Sequence, residues 1–244
     1  MESRNFKLDT EWNIIHYPYK PNGFGILILG DERQFVERKS SFWTQNEGKK
    51  ALLREFKEAG YTVFYSNLYG MNWGSQKAVE LAGRLCSHVQ RNEILNDKIH
   101  VFAEGMGALT AINLLKLKKN IRSLVMLNPI LSLKQHLEQE KEHKFFYKKL
   151  LHEVSTSYHI RPEEVSKLFT NKDDFPYLPK ELPSKIIHVL ASRRSYQQSE
   201  LFKEYYQKWE KEEIPISICY MVPEKKSQIG PKAINFFKQH EHVL

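Results

Sequence analysis

Residues 98–107 read Lys98-Ile99-His100-Val101-Phe102-Ala103-Glu104-Gly105-Met106-Gly107. Ile99 to Ala103 is a mostly apolar run of strand length, and a helical pattern, Ala108 to Leu117, follows directly. Gly105 and Gly107 permit a turn too tight for most side chains. A strand, a Gly-rich turn and a helix in immediate succession fit a nucleophile elbow, which lifts one side chain above the edge of a sheet. Such an elbow usually reads G-x-S-x-G, and here its five positions hold Ala103, Glu104, Gly105, Met106 and Gly107. The central position is a glycine. The turn is therefore expected without the side chain that would react.

Outward from this stretch the pattern alternates. Gly23 to Gly30 is a near-continuous apolar run between glycines, as in a strand buried on both faces of a parallel sheet. An earlier strand is expected near Asn13 to Tyr17. Glu47 to Ala59 carries apolar residues on one helical face and ends at Gly60, a natural helix stop. Tyr61 to Tyr65 reads as the next strand. Ser75 is placed to cap a helix running through Val89. Ser123 to Asn128, Ile186 to Ala191 and Ile216 to Met221 are further strands. Helices are expected at about 106–117, 197–210 and 231–239, the last opening on Pro231. Alternating strands and helices specify an α/β fold with a mostly parallel central sheet flanked by helices. Between Pro129 and Ile186 the alternation fails for about 55 residues, too long for a plain crossover. The expected division is a core of residues 1–130 and 181–244, with residues 131–180 as an inserted helical cap.

The chain has 244 residues, enough for one α/β domain with a substantial core. No stretch approaches the ~20 apolar residues of a membrane span. The first residues lack the apolar centre of a secretory signal. Two cysteines, Cys86 and Cys219, cannot build a disulfide framework and read as small buried groups. These features predict a cytoplasmic protein with no membrane partner. The net charge of +8 is spread along helices and mixed with glutamate, which reads as a solvated surface rather than a nucleic-acid face.

The order of these elements resembles the α/β-hydrolase family over about residues 12–240. Ala59-Gly60-Tyr61-Thr62-Val63 is similar to that family's helix end and following strand. Asn67 to Ser75 is similar to its D-x-x-G-x-G-x-S segment, with Asn67 in place of the aspartate. Ala103 to Gly107 falls at the elbow, and the long insertion falls where many members carry a cap. The family's acyl transfer needs a nucleophile, a base and an acid that orients the base. The resemblance puts these roles at three places. Gly105 holds the nucleophile position. The acid's turn, Ala191 to Tyr196, offers Arg194 and no carboxylate before Glu200. The base's turn, Val222 to Ile229, offers Lys226 and no histidine, and the later His240 and His242 lie past the last helical pattern. No catalytic residue is assigned on this reading. Leu29-Gly30-Asp31-Glu32 replaces the His-Gly segment of the oxyanion region, and carboxylates there oppose a developing negative charge. The resemblance further implies a ligand pocket under the cap, lined by Gly30, Asp31, Tyr69, Trp73, Glu104, Gly105 and Met106.

Other residues carry groups capable of chemistry. Glu104 flanks the elbow; a polar residue bonded near the turn is the simpler reading. Ser75 reads as a helix cap and Ser227 as a loop serine. His136, His143, His152 and His159 lack the spacing of a zinc helix and read as surface histidines of the cap, so no metal and no cofactor is expected. Trp43, Trp73, Tyr69 and Phe42 read as packing or as an aromatic ligand wall. Two functions follow. One is a hydrolase-like protein without the Ser-His-Asp triad that binds a small molecule or a partner. The other is a hydrolase of esters, thioesters or other acyl compounds with a displaced site. Fold alone does not choose between them.

Overall fold

The computed structural model describes residues 2–117, 119–169 and 175–241, without the side chains of residues 193, 194 and 197. An eight-stranded sheet forms its centre. The strands are β1 (Ser3–Leu8), β2 (Glu11–His16), β3 (Gly25–Leu29), β4 (Thr62–Ser66), β5 (Ile99–Glu104), β6 (Ile121–Leu127), β7 (Ser184–Val189) and β8 (Ile216–Met221). Their order is β1-β2-β4-β3-β5-β6-β7-β8. β1 pairs antiparallel with β2, and β2 with β4; every later pairing is parallel. The chain leaves β3 towards β4 on one side and returns to β5 on the other. The carboxyl ends of β3 and β5 therefore flank the topological switch point, where open α/β sheets form their crevice.

Alternation along each strand builds two cores. Leu27, Leu29, Val101, Ala103, Leu124 and Met126 face one layer. That layer comprises α3 (Gln76–Asn92), α4 (Gly107–Leu117) and α7 (Arg193–Lys211). Ile26, Ile28, Phe102, Val125 and Leu127 face the other, with α2 (Glu47–Glu58) and α8 (Ile229–Gln239). Trp43, in the short α1 (Phe42–Gln45), is fully buried in this second core. The expected aromatic wall is thus packing at Trp43. The helix starts are chemically defined. The side chain of Asn46 caps α2 by accepting from the Lys49 N–H at 3.1 Å, and Ser192 opens α7 in a capping box with Ser195. That cap starts the helix four residues before the expected 197.

Residues 131–169 form α5 (Leu133–Glu140), α6 (Lys144–Tyr158) and a 3₁₀ helix, Pro162–Phe169. Leu133, Leu137, Leu150, Val154 and Val165 pack with Trp73, Met106 and Leu109 into a third apolar cluster. This places helical structure where the alternation failed; residues 170–174, including Asp173 and Asp174 of the expected return turn, lie outside the described residues, as does His242. Two expectations need correction. β8 is an edge strand, so Cys219 is only partly buried. His136 belongs to no exposed surface: it is 4% exposed and stacks on Trp73 with ring centroids 5.4 Å apart. Among the described residues no helix is long and apolar enough to cross a membrane.

Candidate functional site

The turn after β5 is an elbow in geometry. Gly105 has a φ of +51°, its N–H donates to Leu127 O at 3.1 Å, and its carbonyl accepts from Ala108 and Ile130. At Gly107 a side chain is excluded by backbone: an added Cβ would lie 2.2 Å from Leu29 O and 2.7 Å from Gly30 O. The small residues flanking the elbow thus let β5 and α4 approach the end of β3.

The centre of the elbow is filled from another strand. A Cβ added at Gly105 would lie 2.0 Å from Asp31 Oδ1 and 2.6 Å from Oδ2. The carboxylate of Asp31, in the loop after β3, stands where a nucleophile's side chain would begin. Its Oδ1 also accepts from the backbone N–H of Met106 at 3.0 Å. That N–H belongs to the residue after the nucleophile position, which in such elbows donates to the oxyanion. One carboxylate therefore takes the space that a side chain at position 105 would need and also holds the backbone N–H of the next residue. A second negative oxygen could not bind there without displacing it.

The seven residues expected to line one pocket are divided among several places. Gly30, Asp31, Gly105 and Met106 meet at the elbow, and Met106 is 1% exposed. Trp73 is also 1% exposed, packed in the third cluster, with its indole N–H donating to Glu153 at 3.0 Å. The space over the elbow is thus occupied by side chains of the chain itself. Tyr69 turns elsewhere: its hydroxyl donates to Asp9 at 2.7 Å, which with burial raises its pKa to about 12. Glu104 points to the opposite side, into a cleft of about 410 Å³.

That cleft lies at the carboxyl ends of β5 to β8. It is walled by Glu104, Lys49, Asn128, Val189, Lys226 and Ser227, with the first turns of α2 and α8. Glu104 and Lys49 form an ion pair, and Lys49 Nζ also lies 5.2 Å from the Trp43 ring centroid. Both side chains are mostly buried. Burial pushes the Glu104 pKa above its ordinary value, Lys49 opposes that, and Asp31 adds to it. A raised pKa means that folding takes up a proton. The contribution of Glu104 to stability is therefore largest below its unfolded pKa and is lost as the pH rises through the folded one. Lys49→Met removes the opposing cation and leaves a buried carboxylate unpaired. We expect it to lower the unfolding free energy by about 2 to 3 kcal/mol at pH 7 and by less at pH 5. Urea unfolding at the two pH values measures this; an equal loss at both would contradict it.

Lys226 and Ser227 are exposed in a 3₁₀ helix, Pro223–Gln228, and Arg194 stands in the first turn of α7 with its side chain outside the described ones. Ser75 is 4% exposed at the start of α3, yet its side chain makes no capping bond, contrary to the role expected of it. Among the described residues no cluster of three metal-ligating side chains occurs.

A Ser–His–carboxylate line does exist, at the other end of the sheet. His100 Nδ1 lies 2.8 Å from Ser123 Oγ, and its Nε2 lies 3.7 Å from Glu241 Oε1. Ser123 and His100 are both fully buried, and burial lowers the His100 pKa to about 3. The ring is also reversed relative to a working triad, which turns Nε2 to the serine. No substrate reaches this serine, so the line is structural. Sequence spacing gave no signal of it, because the three residues meet only through the sheet and the end of α8.

No family model and no curated protein sequence matches the chain. Solved structures do match along nearly its whole length. Est1E from Butyrivibrio proteoclasticus is similar at a TM-score of 0.62 and 11% identity, over 98% of this chain and 99% of its own. A serine hydrolase without lid from Xanthomonas campestris gives 0.62 and 10%, over 100% and 97%. A Pyrococcus furiosus esterase gives 0.62 and 14%, over 98% and 91%. Together with the strand order and the elbow, these likenesses establish that the chain has the α/β-hydrolase fold.

Proposed function

We propose that this chain is a non-catalytic binding protein on the α/β-hydrolase fold, with residues 131–180 as its cap. The observation that carries this reading is Asp31, whose carboxylate fills the place of the nucleophile at Gly105 and holds the Met106 N–H. Acyl transfer needs that N–H for the oxyanion and a side chain at that place. Neither is free for the reaction. The turns that would carry acid and base offer Arg194 and Lys226, which are cationic and cannot orient or act as a neutral base at pH 7 in the required way. The ligand site we assign is the cleft beside Glu104 and Lys49. An ion pair at its wall suits a small polar molecule that can hydrogen-bond to both charges. A chain with two cysteines, Cys86 buried and Cys219 partly buried, suits a cytoplasmic setting.

A second reading is favoured by the esterase and serine hydrolase among the similar structures and by Ser227 on the cleft. On that reading Ser227 is a displaced nucleophile that cleaves esters, thioesters or other acyl compounds. Intact-mass analysis after exposure to a fluorophosphonate separates the two. The binding-protein reading expects no adduct while a known serine hydrolase is labelled in the same tube. A stoichiometric adduct on Ser227, lost in Ser227→Ala together with turnover of an activated ester, would establish the second reading instead.

A further inference from the structure

The sheet ends on two edges of different character. On one side the outer strand is β1, which carries Arg4 and Lys7. Such charges keep a sheet edge from pairing with another chain. On the other side the outer strand is β8. Between Pro215 and Pro223 it reads Ile216-Ser217-Ile218-Cys219-Tyr220-Met221-Val222, without a charged residue. It pairs with β7 over six consecutive residues with no shift of register, so no bulge twists this edge away. Ser184 N–H donates to Pro215 O, and Leu190 N–H donates to Met221 O. In a parallel pair a residue turns its N–H and C=O to the same side, and its neighbours turn theirs to the other. The odd-numbered residues of β8 therefore face β7, and Ile218 and Tyr220 turn their backbone groups outward. Among the described residues no strand pairs with them there. Tyr220 and Val222 are 41% and 45% exposed.

The flanks of this strand mirror one another about Cys219. Pro215 and Pro223 each lie four residues from it, and Glu213 and Lys225 each lie six. Glu212 and Glu213 stand in the turn before β8, and Lys225 and Lys226 in the 3₁₀ helix after it; all four are exposed. The segment is thus complementary to itself when it is run antiparallel. From the bare edge and these opposed charges, we propose that β8 is the contact of a symmetric homodimer. A second copy of this chain pairs with it antiparallel across a two-fold axis at Cys219, and the two sheets become one. Ile218 of each copy then lies opposite Tyr220 of the other and exchanges the outward N–H and C=O groups with it. The acidic turn of each copy meets the basic 3₁₀ helix of the other, a self-complementary arrangement that closes after two copies. In this register the two Cys219 residues face each other without exchanging hydrogen bonds, with Cα atoms about 4.5 Å apart. That is within the span of about 4.4 to 6.8 Å that a disulfide bridges. Cys86 is 1% exposed and stands in α3, away from this edge. The contact does not depend on whether the protein binds its ligand or cleaves it.

Sedimentation velocity of the full chain in reducing buffer, followed by brief oxidation with diamide, tests this. A dimer is expected at micromolar concentrations. Diamide accepts two electrons and two protons from the facing thiols, and the expected product is a disulfide-linked dimer that Cys219→Ala abolishes and Cys86→Ala does not. Tyr220→Lys gives the edge the charge it lacks and should weaken association about tenfold or more while the circular dichroism spectrum stays that of the wild type. Glu213→Lys and Lys225→Glu each set like charges against one another at both ends of the contact, so each variant alone should associate more weakly than the wild type. An equal mixture of the two restores opposite charges at both ends and should recover the dimer as a heterodimer. A chain that stays monomeric, a dimer that gives no Cys219 disulfide, or a dimer unaffected by Tyr220→Lys would overturn the proposal.

Discussion

Gly105→Ser is expected to create no esterase and to lower the unfolding free energy by about 2 to 4 kcal/mol. The new Cβ would fall 2.0 Å from Asp31 Oδ1, so the carboxylate must leave. Leaving breaks its bond from the Met106 N–H, and a hydrogen bond to a charged group is worth about 1.5 to 3 kcal/mol. The φ of +51° adds about 1 kcal/mol for a residue that carries a Cβ. For a chain of this size each kcal/mol corresponds to about 2 to 4 °C in melting temperature. Asp31→Gly in the same molecule should cost little further, because the carboxylate has already been driven from the Met106 N–H, so the double variant loses less than the sum of the two single ones. A thermal double-mutant cycle reads that coupling, expected at about 1 to 3 kcal/mol. Additive losses would show that Asp31 and position 105 do not share one space. Turnover of an activated ester by Gly105→Ser would show that a base and an acid stand near the elbow after all.

Gly107→Ala should be the most damaging single methyl group in the chain. Its Cβ would meet Leu29 O at 2.2 Å and the Leu29 carbonyl carbon at 2.6 Å. These are backbone atoms of the central strand, which cannot rotate away as a side chain can. Relief requires β3 and α4 to part, and that opens the tightly packed core between them. We expect a loss of about 3 kcal/mol or more, seen as a lower urea midpoint or as failure to accumulate folded protein. The same substitution at Gly70 or Gly23 meets no atom within 4 Å. Either is a useful control, since it adds only the strain of a positive φ. A Gly107→Ala protein as stable as the wild type would mean that the elbow has more room than its geometry allows.

The fold was largely legible along the chain, and the reasons are local. Gly23 to Gly30 is apolar at successive positions because β3 is covered on both faces. Glu47 to Gly60 shows the helical period, an opening and a stop. β1 escaped notice. Ser3 to Leu8 has only two strongly apolar residues, and it forms a strand because β2 offers it an edge to pair with. Pairing of that kind is a property of two segments, and no window along one of them contains it.

The site divides in the same way. Sequence alone determined that a glycine stands at the centre of the turn after β5 and that aspartate follows β3. Those are identities at places fixed by local pattern. Tertiary structure decided what the identities mean. Asp31 meets Gly105 because their strands lie side by side, so a charge from one loop occupies the gap left in another. Tyr69 and Trp73 are four residues apart and face different partners, since left-handed residues in the intervening turn redirect the chain. Glu104 finds Lys49 through the contact of α2 with the sheet, and Ser75 makes no capping bond although it stands at the start of α3. Backbone pattern repeats over a few residues and can be read from the chain. Contacts between side chains distant in sequence depend on strand order and on angles, and only the folded molecule specifies them.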